Sequence, residues 1–138
     1  MGCMVVKKFL ICCVAGLLLF NMLGGNISGA EVIPQTSAIY SEKDIESAIN
    51  TVRTYFKLSF FDCALTEIGY VGDEHQEEFA ELAEHYGADE VIIITSSFEV
   101  GKHGGDGSLN ANSTYSGWTW ELKRDAGGKW RLVNYGFG

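Results

Sequence analysis

Eleven consecutive residues, EVIIITSSFEV from Glu90 to Val100, restrict the folds open to this chain more than any other stretch. Val91, Ile92, Ile93, Ile94 and Thr95 are β-branched and follow one another without a polar face, which favours an extended backbone covered on both sides, hence a central strand. Such a strand needs neighbours for its ladder and packed layers for its faces. Downstream, STYSGWTWELKR (113–124) places Trp118, Trp120 and Leu122 on one side of a second strand, with Thr119, Glu121 and Lys123 on the other. DAGG (125–128) reads as a turn and KWRLVNYGF (129–137) as its returning partner, so the chain closes on an antiparallel hairpin. Upstream, CALTEIGY (63–70) carries Thr66, Ile68 and Tyr70 at strand spacing.

The covering layer comes from two helical patterns. Ser41 followed by Asp44 resembles a capping box. Beyond it Ile45, Ala48, Ile49, Val52, Tyr55 and Phe56 recur three or four apart, opposite Lys43, Glu46, Asn50 and Arg53, which predicts an amphipathic helix over 41–58. VGDEHQEEFAELAEHYGADE (71–90) returns to the helical period through Phe79, Leu82, Ala83 and Tyr86, with Gly72 or Asp73 expected to cap its start and Gly87 its end. The sum is an α+β domain over 41–138: a curved antiparallel sheet of about four strands packed against a long N-terminal helix and a shorter second helix, both on one face.

The first thirty residues read differently. Lys7 and Lys8 precede the apolar run FLICCVAGLLLFNMLGG (9–25), and small residues follow, with Ser28 and Ala30 at the −3 and −1 positions of a secretory cleavage site. Residues 1–30 are therefore expected to be a signal peptide and the protein to be secreted or extracytoplasmic. The alternative is a membrane anchor over 9–25, a run slightly shorter than the roughly 20 residues a spanning helix needs. Cys12 and Cys13 sit too early for lipid attachment. Residues 31–40 hold the only proline, Pro34, and no sustained period, so a flexible leader is expected there.

Cleavage after Ala30 leaves 108 residues, enough for one domain, and takes the formal charge from −8 to −10 because the leader carries two lysines and no acid. Nucleic acid is excluded as a partner, since binding a phosphate backbone needs a basic patch, and membrane contact would require the apolar segment to be retained. Cys63 becomes the only cysteine, without an internal disulfide partner, and is expected to be a buried hydrophobe.

The remaining candidate chemistry gathers around GGDGSLNANSTYSGWTW (104–120). Thirteen residues, 101–113, are long for a connection, and loops of that length are often functional, although Gly101, Gly104, Gly105 and Gly107 with Asn110 and Asn112 also suit a plain turn-rich link. The candidate ligand-binding residues are His103, Asp106, Asn110, Asn112, Tyr115, Trp118 and Trp120. Trp118 and Trp120, joined by Trp130 across the hairpin, would close the core or, on an open face, form a sugar- or peptide-binding platform; core is the expectation. No zinc spacing links His75, His85 and His103, no EF-hand order surrounds Asp106, and no phosphate loop or nucleophile elbow occurs, so no metal, cofactor or catalytic residue is assigned. An acid and histidine pair, Glu99 or Asp106 with His103, is the enzymatic alternative. An assembly domain acting through an exposed sheet face is a third.

The opening helix, the EIGY strand, the short second helix and the closing GGKWRLVNYGFG resemble the nuclear-transport-factor-two-like, or cystatin-like, superfamily over residues 41–138. More narrowly, YGADEVIIITSSFEV with GGDGSLNANSTYSGWTWELKR is similar to small, uncharacterised exported bacterial domains. The resemblance implies a sheet curved around a helix with a cavity beneath it. Members include isomerases, dehydratases and many proteins that only bind small molecules or other proteins. The expectation is accordingly a secreted, non-enzymatic binding module for a small molecule or partner protein.

Overall fold

The structure, a computed structural model, describes residues 24–137. Its elements are strand β1 (Glu31–Ile33), helix α1 (Glu42–Ser59), strand β2 (Cys63–Tyr70), a short 3-10 turn (Asp73–His75), helix α2 (Gln76–Tyr86), and strands β3 (Glu90–Val100), β4 (Thr114–Arg124) and β5 (Arg131–Phe137). The strands form a single sheet in the order β1-β2-β3-β4-β5. β3 is central, as its β-branched run requires, and Val91–Ile94 are all buried. The expected sheet of four antiparallel strands is corrected: β2 to β5 are antiparallel neighbours, but β1 adds a fifth strand parallel to β2, so the sheet is mixed.

α1 forms where its stripe and cap place it. Ser41 is extended (φ −69°, ψ 159°) and its hydroxyl accepts the Asp44 amide at 3.1 Å. Ala48, Ile49, Val52 and Phe56 are buried, and Ile45 and Tyr55 pack beside them. They meet Trp118, Trp120 and Leu122, which lie on one face of β4 as period-2 alternation demands. Burying an aromatic or aliphatic side chain of this size is worth about 1.5–3 kcal/mol, so this layer is the main source of stability.

α2 departs from expectation at its start. Neither Gly72 nor Asp73 caps it with a side chain: the chain first makes the 3-10 turn, and His75 occupies the cap position without a side-chain bond to the helix backbone, its ring lying instead 3.2 Å from the Glu78 carboxylate. Gly87 ends the helix in the left-handed conformation (φ 61°, ψ 35°), its amide reaching Ala83 and Glu84 carbonyls. Phe79 is buried against Tyr40 and Tyr70. Tyr86 donates to Glu121, which alternation puts on the face opposite Trp120 and Leu122. The two helices therefore do not share one face: α1 covers the aromatic side and α2 wraps an end of the sheet to reach the other.

Asp73 is used elsewhere. Its carboxylate accepts from the Ser37 hydroxyl (2.6 Å), the Tyr70 hydroxyl (2.8 Å) and the Ala38 amide (2.7 Å). These bonds hold its carboxyl below the usual range, the Ser37 bond contributing most. With β1 they fix much of the 31–40 stretch that the sequence marks as a flexible leader. Asp73→Asn is expected to loosen that tie, and hydrogen exchange at the Ala38 amide should quicken relative to the β3 amides; unchanged protection would show that the stretch is held without Asp73.

Candidate functional site

Five elements that carry aromatic residues meet at one end of the sheet. The C-terminus of α1, the start of β2, the end of β3, the start of β4 and the end of β5 lie at one end of the sheet, closed over by the 101–113 loop. The loop is tied both to Asp62, just before β2, and to itself. The Gly101 amide bonds the Asp62 carbonyl (2.7 Å), the His103 amide bonds the Asp62 carboxylate (2.8 Å), and the Leu109 amide bonds the Gly104 carbonyl (3.1 Å). Gly104 needs to be glycine twice over: its φ is +68°, and a Cβ would lie 2.5 Å from the Leu109 carbonyl oxygen.

Between this loop and α1 lies a cavity of about 100 Å³ lined by Ser59, Phe60, Phe61, Cys63, Gly105, Asp106, Ser108, Leu109, Trp118 and Tyr135. That is well below the roughly 300–1,000 Å³ of sites for drug-sized ligands, so it fits a small group. One wall is aromatic. Phe60 stacks on Phe56 (4.8 Å between centroids), meets Tyr135 at 5.6 Å and Trp118 at 6.3 Å, while Phe61 stacks against the His103 ring at 6.1 Å. At the mouth, Tyr135 is 42% exposed and its hydroxyl lies 3.3 Å from that of Tyr55. The Tyr55 bond, with burial second, raises the Tyr135 phenol above its ordinary value, so it remains a neutral hydroxyl at physiological pH.

The opposite wall is polar. Asp106 Oδ1 accepts both the Ser108 amide (3.0 Å) and hydroxyl (2.6 Å), leaving Oδ2 without a partner among the described residues. The same bonds lower its carboxyl below the usual range, so it is an anion at neutral pH. Cys63 closes the floor. Burial pushes its thiol up to about 11, which keeps it protonated and a poor nucleophile.

The residues singled out from sequence divide accordingly. Asp106 and Trp118 line the cavity. His103 is exposed beside it, stacked on Phe61, and makes no side-chain hydrogen bond to Glu99 or Asp106 among the described residues; Glu99 is exposed as well. Asn110 and Asn112 serve the loop: the Asn110 amide donates to the Tyr115 hydroxyl (3.1 Å), and Asn112 takes φ 53° with its amide on the Gly101 carbonyl (3.0 Å). Tyr115 is wedged between Phe98 and Phe137, stacked on both at 5.2 Å. Trp120 is a core residue, the expected placement for the indoles: it is fully buried, its indole N–H is on the Ser96 hydroxyl at 2.8 Å, and it does not line the cavity. Trp130 is corrected. It does not join the other indoles but packs at the far end on Tyr40 (5.7 Å), with Arg124 over its ring at 4.1 Å and its N–H on the Asp44 carbonyl.

No protein family, curated protein or solved structure matches this chain. The site's chemistry therefore has to be taken from its own residues. Among the described residues no group of three or more His, Cys, Asp or Glu side chains is placed to hold a metal ion, and no helix is long and apolar enough to cross a membrane. The apolar run 9–25 lies outside the described residues except for Gly24 and Gly25, as do Cys3, Cys12 and Cys13.

The cavity residues missed from sequence are Ser59, Phe60, Phe61, Leu109 and Tyr135. Phe60 and Phe61 follow the last helical turn, where aromatic residues without period read as a linker. The available signal was density of aromatics at both chain turns that meet here.

Proposed function

We propose that this chain is an exported, non-enzymatic binding module that takes a small ligand in the cavity between the end of α1 and the 101–113 loop. The observation that carries it is the pairing, within about 100 Å³, of an aromatic wall (Phe60, Phe61, Trp118, Tyr135) with the free carboxylate oxygen of Asp106. Rings of this kind take an apolar ligand face or a cation, and the carboxylate takes a donor. A ligand that matches has an apolar face and projecting N–H or O–H groups: one sugar ring, or an amine-bearing side chain. The likeness to nuclear-transport-factor-two-like domains belongs to the same proposal and is supported by an antiparallel β2–β5 layer packed against α1 with the cavity at its end.

Thermal-shift and chemical-shift titrations with monosaccharides, amino acids and small amines test it. A ligand at a hundred times its dissociation constant should stabilise the domain by about 2.7 kcal/mol. Asp106→Asn should weaken that ligand at least tenfold while leaving the melting temperature of the free protein close to that of the wild type. Binding unaffected by Asp106→Asn and Tyr135→Ala, or no response to any of the three classes, would set the cavity aside.

A further inference from the structure

The point at which the chain joins the domain bears on how the protein is processed. Residues Gly24–Ala30, which the export motif assigns to a discarded leader, run beside β2 as part of the fold. The Gly25 amide donates to the Lys57 carbonyl at 3.0 Å, the Asn26 amide to the Cys63 carbonyl at 2.9 Å, and the Leu65 amide to the Asn26 carbonyl at 2.8 Å. Asn26 is thereby a parallel bridge partner of Ala64, on the same edge of β2 that β1 continues to cover from Glu31 onward.

Side chains repeat what the backbone does. Gly25 is pressed so closely on α1 that a Cβ there would lie 2.5 Å from the Phe56 carbonyl oxygen and 2.8 Å from its ring. Ile27 and Ala30 pack against the buried core. The Asn26 side chain accepts the Ser28 amide (3.0 Å) and hydroxyl (2.7 Å), shaping the turn that leads into β1. Ser28 and Ala30, the small residues of the apparent cleavage site, thus sit in a turn between two segments that both pair with β2.

We propose that the bond between Ala30 and Glu31 stays intact in the mature protein, and that its N-terminal boundary lies at or before Gly24. Cutting after Ala30 would take away three backbone hydrogen bonds and bare the Phe56 ring and the start of β2 as an open sheet edge, the kind of surface that native sheets keep covered. Gly24 also borders a surface hollow with Asp62, Glu99 and Gly101, so whatever precedes it in the mature protein emerges at the same end of the domain as the 101–113 loop.

The test uses the full chain, expressed with its leader in an exporting bacterial host and purified. Its intact mass is expected to include Gly24–Ala30; a product beginning only at Glu31 overturns the proposal. Gly25→Val in the same full chain should lower the melting temperature by several degrees through its collision with Phe56, and Ile27→Ser, which spares that contact, should lower it less but in the same direction. Both variants melting like the wild type would overturn the proposal, because residues already removed cannot alter stability.

Discussion

Replacing Trp120 with alanine is expected to destabilise the domain by about 4–5 kcal/mol, at the upper end for removal of a buried aromatic ring. Trp120 is fully buried and stands within 5.2 Å of Phe60 and Tyr135, 6.2 Å of Tyr55 and 6.5 Å of Phe56, centroid to centroid. No neighbour can collapse into the space without leaving its own contact. The deletion also strands the Ser96 hydroxyl, which is buried and bonded to the indole, and an unsatisfied buried polar group adds about 1–3 kcal/mol. Because small domains have only about 5–15 kcal/mol in total, Trp120→Ala should move the urea midpoint far more than any loop substitution. Trp120→Phe keeps most of the volume and loses the bond, so its cost should be less than half as large. A Trp120→Ala cost below about 1 kcal/mol would mean that the ring is not the centre of the core.

That centre was legible because local chemistry and burial agree there. The unbroken β-branched run of β3 requires cover on both sides, and Trp118, Trp120 and Leu122 repeat at the strand period opposite a helix whose stripe repeats at its own. Ser41 and Gly87 announce helix ends through bonds made within a few residues. Features made by distant backbone were not legible. β1 is three residues long and contains no alternation; it exists because β2 offers an open edge, a fact about the assembled sheet and not about Glu31–Ile33. Asp73 looks like a cap from sequence, but its carboxylate gains more from two hydroxyls and an amide contributed by Ser37, Ala38 and Tyr70.

The candidate site fails in sequence for a related reason. Its residues come from the end of α1, the start of β2, the loop, β4 and β5, and only their meeting makes a cavity. Asp106 and Trp118 could be picked out because the loop is unusual in length and composition. Phe60, Phe61 and Tyr135 carry no such mark. Trp130 misleads in the opposite sense: it immediately precedes β5, whose first residue Arg131 pairs with Lys123, so it lies at the Arg124 end of the hairpin, far from Trp120, which pairs with Tyr135, and its indole N–H reaches the Asp44 carbonyl at the start of α1.

At that far end Arg124 joins the layers, and Arg124→Met is expected to cost about 2–3 kcal/mol. The guanidinium bonds Asp44 at 2.8 Å and Glu90 at 2.5 Å and lies over the Trp130 ring, linking α1, β3 and the residue just before β5. Removing one member of a buried pair costs about 3–5 kcal/mol because the other charge is left uncompensated. Here the arginine side chain is 12% exposed but its partners are 31% and 36% exposed, so water recovers part of that loss. The bond from Arg124 holds the Asp44 carboxyl below its ordinary range, the Ser41 bond adding to it. A depressed carboxyl contributes stability that is complete above its unfolded value of about 4 and is lost as the pH falls through the folded one. Thermal melts at pH 7 and pH 3 should therefore separate further for the wild type than for Arg124→Met. Equal separations would show that the Asp44 contact contributes nothing to the folded state beyond what solvent already supplies, and that Arg124 acts only through its stacking on Trp130.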